Sequence, residues 1–403
     1  MAQLTQTGRR RRAILVVENL PVPLDRRVWQ SALALRRAGW DVDVVCPRGR
    51  VRDTEISVVL DGVRIHRYAL CTASGGKLGY LREYWQAFRR VRRMVRELCG
   101  DGPVDVVHVC NPPDVMMLAC RMAVPKRVPL VFDHHDLFPE LYTARFGRSS
   151  GVVYRLACML ERVSYRLAKV VIVPNDSYRS VALGRGGKRA SDVFVVRNAP
   201  DLDTFTVVDP DLSLRRGHAH LLAYLGVMGP QDGVDHALRA LAALKQRRDD
   251  WHAVFMGDGD VLAAMVRLAG KLGIAGHVEF TGMVGDSEIV RVLSTADVCI
   301  APDPKNAFND RSTMNKIVEY MAMGKPVVAY DLAEARVSAN GGGLFAQVDD
   351  VEGFAAHIDT LLDDPALRER LGALGRERVE TELNWRRSEQ ALLAAYGRAL
   401  ATS

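Results

Sequence analysis

The segment Asp310-Arg311-Ser312-Thr313-Met314-Asn315-Lys316-Ile317-Val318-Glu319-Tyr320-Met321-Ala322-Met323-Gly324 holds the densest chemistry in the 403-residue chain. Ser312 reads as an N-cap and Gly324 as a C-cap, so a helix of about eleven residues is expected between them. The uncovered N–H groups of its first turn, together with the helix dipole, form an anion site, and Lys316 adds a full positive charge one turn on. Glu319 follows the cap on the same face, about 10 Å along the axis at ~1.5 Å per residue. That separation suits a diphosphate at the helix tip and a ribose whose hydroxyls a carboxylate accepts. The plain alternative is a capped helix with solvated charges.

A second concentration is Val131-Phe132-Asp133-His134-His135-Asp136-Leu137-Phe138-Pro139-Glu140, a His pair and three carboxylates at the end of an apolar run. Such residues can ligate zinc, but neighbours on an extended chain point apart and no further ligand motif accompanies them. Asp25 and Arg26 follow the first apolar run, where they offer either polar site groups or a helix cap and a solvated charge. No Asp-x-Asp motif stands at a strand end where metal chemistry would need one, and no obligatory metal or cofactor is expected.

These groups need rigid elements to hold them. Short β-branched runs alternate with helical segments, the pattern of parallel sheets covered by helices. The runs are 13–17, 41–46, 104–109, 130–133, 170–173 and 193–196, then 221–225, 253–256, 278–281, 298–301 and 327–329. Two doubly wound α/β domains are therefore expected, joined near residues 200–217, where turn residues gather and the periodicity lapses. Ligands of open α/β sheets bind beyond the carboxyl ends of the strands, so the cleft between the two sheets is the expected active site.

The length excludes a single ordinary core. No apolar run approaches the ~18 residues of a membrane span, and the apolar run after the basic start is too short for a signal peptide, so a cytoplasmic protein is expected. The seven scattered cysteines suit a reducing compartment. Residues up to Phe205 carry 34 Lys and Arg against 20 Asp and Glu, a net of +14 within an overall +7, which leaves −7 for the rest. A basic first half suits an anionic membrane or an acidic substrate; no nucleic-acid partner is expected, because no recognisable module accompanies the charge. Residues 78–98 supply a candidate membrane surface. Leu78, Leu81, Trp85, Phe88, Val91, Val95 and Leu98 form an apolar stripe, and Arg89, Arg90, Arg92, Arg93 and Arg96 crowd the other faces. The stripe equally suits packing on the sheet.

The 310–328 segment resembles the donor-binding motif of GT-B glycosyltransferases, in particular the retaining family 4, in which a Glu two turns into this helix holds the ribose of a nucleotide sugar. Leu225-Gly226-Val227-Met228-Gly229-Pro230-Gln231-Asp232-Gly233, Phe255-Met256-Gly257-Asp258-Gly259, Phe280-Thr281-Gly282-Met283-Val284 and Asn198-Ala199-Pro200-Asp201 resemble the family's further motifs in the same order. The resemblance implies two Rossmann-like domains facing across a cleft, an acceptor-side domain over 1–205, a donor domain over 206–384 and a last helix, 385–403, packing back on the first domain. It implies glycosyl transfer from a nucleoside-diphosphate sugar to a hydroxyl acceptor, lipid-linked or not, with retention, in polysaccharide, glycolipid or other glycoconjugate synthesis. Gly229, Val284, Arg311, Ser312, Thr313, Met314, Asn315, Lys316 and Glu319 would bind the donor; His135, Lys316 and Glu319 would serve catalysis; Asp25, Arg26 and Asp136 would line the acceptor side.

Two departures stand out. Arg311 occupies the place of the family's first Glu, and Val227 and Asp232 occupy the places of its usual diphosphate cations, so Lys316 and Arg311 are the expected substitutes. A sugar-nucleotide epimerase and a non-catalytic nucleotide-sugar binder remain the alternatives.

Overall fold

The computed structural model describes residues 8–49, 53–69, 77–147 and 149–401, the side chains of 77–81 excepted. Cys71 and the side chains of Leu78 and Leu81 thus lie outside the described residues. The chain divides into two compact units, one running to Arg197 and resuming at Ser388, the other Asn198–Arg387.

In the first unit β1 (Arg12–Val16), α1 (Arg26–Arg37), β2 (Asp41–Pro47), β3 (Ser57–Leu60), β4 (Val63–Tyr68) and α2 (Lys77–Gly100) come first. They are followed by β5 (Val106–Cys110), α3 (Val115–Arg121), β6 (Leu130–Asp133), α4 (Phe138–Phe146), α5 (Val152–Leu167), β7 (Val170–Val173), α6 (Asp176–Leu183) and β8 (Val193–Val195). The sheet order is β3-β4-β2-β1-β5-β6-β7-β8. Only β3 is antiparallel, returning through a turn at Asp61 and Gly62, both at positive φ. The connection β1 to β2 runs toward one edge and β4 to β5 to β8 toward the other, so right-handed crossovers place α1 on one face and α2, α3 and α5 on the opposite one. With both faces covered, β1, β5, β6 and β7 are apolar almost throughout.

The later part of the α2 stripe is covered, with Phe88, Val91, Val95 and Leu98 buried, whereas its Trp85 is exposed together with Arg89, Arg90, Arg93 and Arg96.

The second unit contains β9 (His220–Leu225), α7 (Val234–Lys245), β10 (Trp251–Met256), α8 (Leu262–Lys271), β11 (Val278–Gly282), α9 (Asp286–Thr295) and β12 (Val298–Ala301). Then come α10 (Asn315–Ala322), β13 (Val327–Tyr330), α11 (Ala333–Ala339), β14 (Gly343–Ala346), α12 (Val351–Asp363) and α13 (Pro365–Thr381). Its parallel sheet runs β11-β10-β9-β12-β13-β14. Alternation along β9 shows why it sits centrally: Leu221, Ala223 and Leu225 enter one core, Leu222 and Tyr224 the other. Phe205 and Leu214 fill the first of these cores, with Leu202 packed against it, which ties the 200–217 segment to this unit.

The last helix, α14 (Trp385–Leu400), enters the first unit from Ser388 on. Tyr396 meets Trp40 edge-on at 5.2 Å, and Glu389 pairs with Arg37 at 2.7 Å.

Candidate active site

The polar cluster of the first unit is organised by Asp133, the last residue of β6. Asp25 caps α1 by accepting from the Val28 N–H at 3.0 Å, and Arg27, the second residue of the helix, is buried in its first turn. Arg27 grips Asp133 with Nη2 at 2.7 Å and Nε at 3.1 Å and donates from Nη1 to the Val196 carbonyl at 2.7 Å. His108 Nε2 and His135 Nε2 approach Asp133 Oδ2 at 3.1 and 2.9 Å. Burial by itself would raise the Asp133 pKa; the Arg27 charge and the two imidazoles outweigh it and hold the carboxyl well below its ordinary range. His108 also meets the Tyr396 hydroxyl through Nδ1 at 2.9 Å.

His135 is fixed from two sides. Its ring lies on Asp133, and its backbone N–H donates to Asn111 Oδ1 at 2.7 Å, while Asn111 Nδ2 donates to the Asp136 carbonyl at 2.8 Å. The side chain stays 16% exposed, enough for an imidazole edge to meet a ligand. His134 points the other way, fully buried with Nδ1 at 2.7 Å from the Tyr165 hydroxyl, and burial lowers its pKa to about 3. It is a neutral core residue. Asp136 is half-buried, its carboxyl raised by desolvation, and Arg26 is exposed.

Among the described residues His108, Cys110 and Asp133 bring three ligand-type atoms within 4.8 Å of one another. The carboxylate there already serves Arg27 and both imidazoles.

In the second unit the strand ends converge on Lys316. Its Nζ lies 2.7 Å from Asp303 Oδ1 and 5.2 Å from the centroid of the Tyr224 ring, and both charged side chains are buried. Burial would lower the Lys316 pKa, yet the charge of Asp303, with Tyr224 and Asp232 behind it, raises it above its ordinary value. The side chain is a permanent cation. A buried ammonium without a partner would be too costly, and Asp303 supplies one. Asp303 Oδ2 has no hydrogen-bond partner among the described residues.

Gly226, at φ 151°, closes over this pair; a Cβ there would stand 3.1 Å from Lys316 Cε. At Gly257 a Cβ would come within 1.9 Å of the Gly226 carbonyl oxygen, so the two loops touch backbone to backbone. Asp232, at a place where the resembled family keeps a cation, accepts from the Gly229 N–H at 2.8 Å and from Gln231 Nε2 at 3.0 Å. Its function in the fold is to close that turn.

Helix α10 differs from the expectation in length and start. Ser312 is not its N-cap: its hydroxyl donates to the Phe308 carbonyl at 2.8 Å and is spent in a preceding turn organised by Asn306. Met314 occupies the cap, without a side-chain bond, and the helix is the eight residues Asn315–Ala322. Glu319, half-buried, thus stands five residues after the cap, ~7.5 Å along the axis. Gly324 takes φ 66° just beyond the helix end. Arg311 and Asn315 are exposed, Thr313 is half-buried, and Met314 and Val284 pack against the same core. Arg27 belongs to the Leu24–Val28 loop, which resembles the family's Asp-x-Arg-Val loop on the acceptor side, whereas no sequence signal points to Asn111 or Tyr224. The only local signal for Asp303 is a carboxylate just past a strand end.

The chain is similar to known proteins over most of its length. A family model described as a glycosyl transferase 4-like domain matches residues 24–199, and one described as glycosyl transferases group 1 matches residues 219–364. The phosphatidyl-myo-inositol mannosyltransferase of Mycolicibacterium smegmatis is 30% identical over 367 residues, 90% of this chain and 86% of that protein. A glycogen synthase of Mycobacterium tuberculosis is 26% identical over 396 residues, covering 93% and 90% of the two chains. Among solved structures, sucrose-phosphate synthase from Thermosynechococcus elongatus superposes with a TM-score of 0.75 at 19% identity, covering 94% of this chain and 97% of that one. Anabaena HepE in complex with UDP and glucose gives 0.72 at 19% identity with the same coverage. With two family models spanning most of its length and a relative at that identity over nine-tenths of it, the chain belongs to the family 4-like, group 1 glycosyltransferases and is an enzyme of GT-B fold.

Proposed function

We propose that the protein transfers a sugar from a nucleoside-diphosphate sugar to a hydroxyl acceptor, with retention at the anomeric carbon, in the synthesis of a glycolipid, polysaccharide or other glycoconjugate. The observation that carries this is the buried Lys316 in the first turn of α10, beside the glycine loop at Gly226 and three residues before Glu319. First-turn amides and a permanent cation favour a diphosphate, and Glu319 is placed to accept from ribose hydroxyls. Gly229 and Val284 supply the remaining donor contacts, with Arg311, Ser312, Thr313, Met314 and Asn315 around the helix start.

Retention without a protein nucleophile calls for displacement on one face of the sugar. The bond from the anomeric carbon to the leaving phosphate oxygen breaks as the bond to the acceptor oxygen forms. The acceptor proton passes to the leaving phosphate, whose charge the helix start and Lys316 stabilise. His135, held by Asp133 and Asn111, is assigned to the reacting sugar, and Asp25, Arg26 and Asp136 to the acceptor side. The scheme requires no metal. A lipid-linked acceptor on the inner face of a membrane fits the +14 first half and the arginine face of α2. One of the similar proteins is named a phosphatidyl-myo-inositol mannosyltransferase, which supports that choice.

Calorimetry on two variants tests the donor site. Lys316→Ala should weaken nucleoside-diphosphate binding ~30-fold or more and leave the bare nucleoside nearly unchanged, whereas Glu319→Ala should weaken both. Equal losses for the two ligands in Lys316→Ala would mean that the cation does not face the phosphates.

A further inference from the structure

The outer face of α5 is apolar where a solvated helix would be polar. Its inner side is Ala157, Glu161, Ser164 and Tyr165, all buried. On the outside Val152, Val153, Leu156 and Met159 are 83%, 46%, 43% and 51% exposed, and Phe146, at the end of the preceding α4, is 50% exposed. At 3.6 residues per turn, Val152, Leu156, Met159 and the half-buried Val163 share an arc of ~60°. Arg155, Arg162 and Arg166, all exposed, form a row along one edge of that arc. Beside the row lies a hollow of about 370 Å³ walled by those arginines with Tyr154 and Cys158.

The charge on this face has one sign. Glu161 is the only acid in α5, and it is fully buried, held by Arg185 Nε at 2.7 Å; Arg185 also takes Glu140 through Nη1 at 2.7 Å. Arginine with exposed valine, leucine and methionine is the composition of a helix lying in a lipid interface, where the apolar side chains enter the acyl boundary and the cations meet phosphates. A two-fold pairing of the face with itself would instead bring two positive rows together with no acid to neutralise them.

We propose that the outer face of α5 docks on an anionic phospholipid bilayer, with Val152, Leu156 and Met159 entering the headgroup boundary and Arg155, Arg162 and Arg166 binding lipid phosphates. The proposal deepens the membrane-facing part of the function above, and rests on it. It assigns insertion to α5, because among the described side chains of the α2 stripe Phe88, Val91, Val95 and Leu98 are buried and Trp85 alone is exposed, while the α2 arginines remain available for long-range attraction. The two helices flank α3 on one face of the sheet.

Vesicle co-sedimentation of the full chain separates the contributions. With phosphatidylglycerol and phosphatidylcholine in roughly equal parts the parent should bind, and it should keep a fraction of that binding at high salt; phosphatidylcholine alone should bind poorly. The variant V152S/L156S/M159S should bind ~30-fold or more weakly and lose the salt-resistant fraction. Arg155→Ser, Arg162→Ser and Arg166→Ser together should cost a similar factor at low salt. Replacing the α2 arginines 89, 90, 93 and 96 by Ser should remove only salt-sensitive binding. Unchanged melting of each variant shows that the fold is intact. If the α2 variant loses all binding while the α5 variants match the parent, the membrane reading stands and the α5 assignment is overturned. A parent that binds neither vesicle overturns both. Sedimentation velocity showing a parent dimer that the α5 variants dissolve would assign the face to a second copy instead.

Discussion

Asp303→Asn probes the proposed donor site more sharply than any change at Lys316 itself. The ion pair it breaks is 2.7 Å long, with the two side chains 2% and 8% exposed. Removing one partner of such a pair leaves a buried, uncompensated charge and costs ~3–5 kcal/mol. The Tyr224 face, 5.2 Å from Nζ, offsets about 1 kcal/mol of this, which leaves a net loss of ~2–4 kcal/mol in the ligand-free protein. In a unit the size of Asn198–Arg387 that corresponds to a melting point lower by roughly 5–15 °C. A diphosphate restores the missing negative charge. In the parent it must share Lys316 with Asp303, whereas in the variant it has the cation to itself, so nucleoside diphosphate should bind Asp303→Asn about tenfold more tightly and recover most of the lost melting temperature. Thermal melts with and without nucleoside diphosphate, together with calorimetry, measure both numbers. The double variant D303L/K316M, which replaces the pair by apolar groups, should regain stability without regaining affinity. A folded Asp303→Asn whose diphosphate affinity equals or falls below that of the parent would show that Lys316 does not serve the phosphates.

Two further expectations concern the first unit. His135→Ala should leave donor binding within about tenfold and lower turnover ~100-fold or more, because the side chain is assigned to the reacting sugar; initial rates close to the parent would leave His135 a structural residue. Glu18, next to β1 and only 7% exposed, has its pKa lifted from 4.5 to about 8 by burial, with Glu83 adding to the effect. A folded-state pKa above the unfolded value means that the contribution to stability is complete below about pH 4.5 and is lost as the pH rises through about 8. Glu18→Gln, which cannot ionise, should therefore gain on the parent between pH 5 and pH 9 by up to ~4 kcal/mol in urea unfolding. A difference between the two proteins that stays constant with pH would rule out a buried, titrating carboxyl.

The sequence marks most of the strands because a strand covered on both faces is apolar whatever its neighbours are. The runs 130–133, 170–173 and 298–301 coincide with β6, β7 and β12 to the residue. β3 and β4 escaped because an edge hairpin is half-solvated and its residues alternate, although Val59-Leu60-Asp61-Gly62-Val63 carries a turn signal. β14 is four residues behind a glycine run, too short to show a period.

Local chemistry set the rest of what could be read in advance: the glycine past α10, the Asp25 cap, the basic face of α2 and the motif order that identifies the family. Even there a competing local bond accompanies the shifted start of α10: Ser312 donates its hydroxyl to Phe308 in the preceding turn, and Met314 takes the cap. The pairings that give the site its electrostatics were decided only in three dimensions. Arg27 and Asp133 are 106 positions apart and meet because a helix start and a strand end share one edge of a sheet. Lys316 finds Asp303 across a turn whose course depends on Asn309 bonding to Gln231 in another loop. A residue's type and its near neighbours determine what it can do at short range. Which charge it neutralises depends on how the strands are ordered, and no local pattern encodes that order.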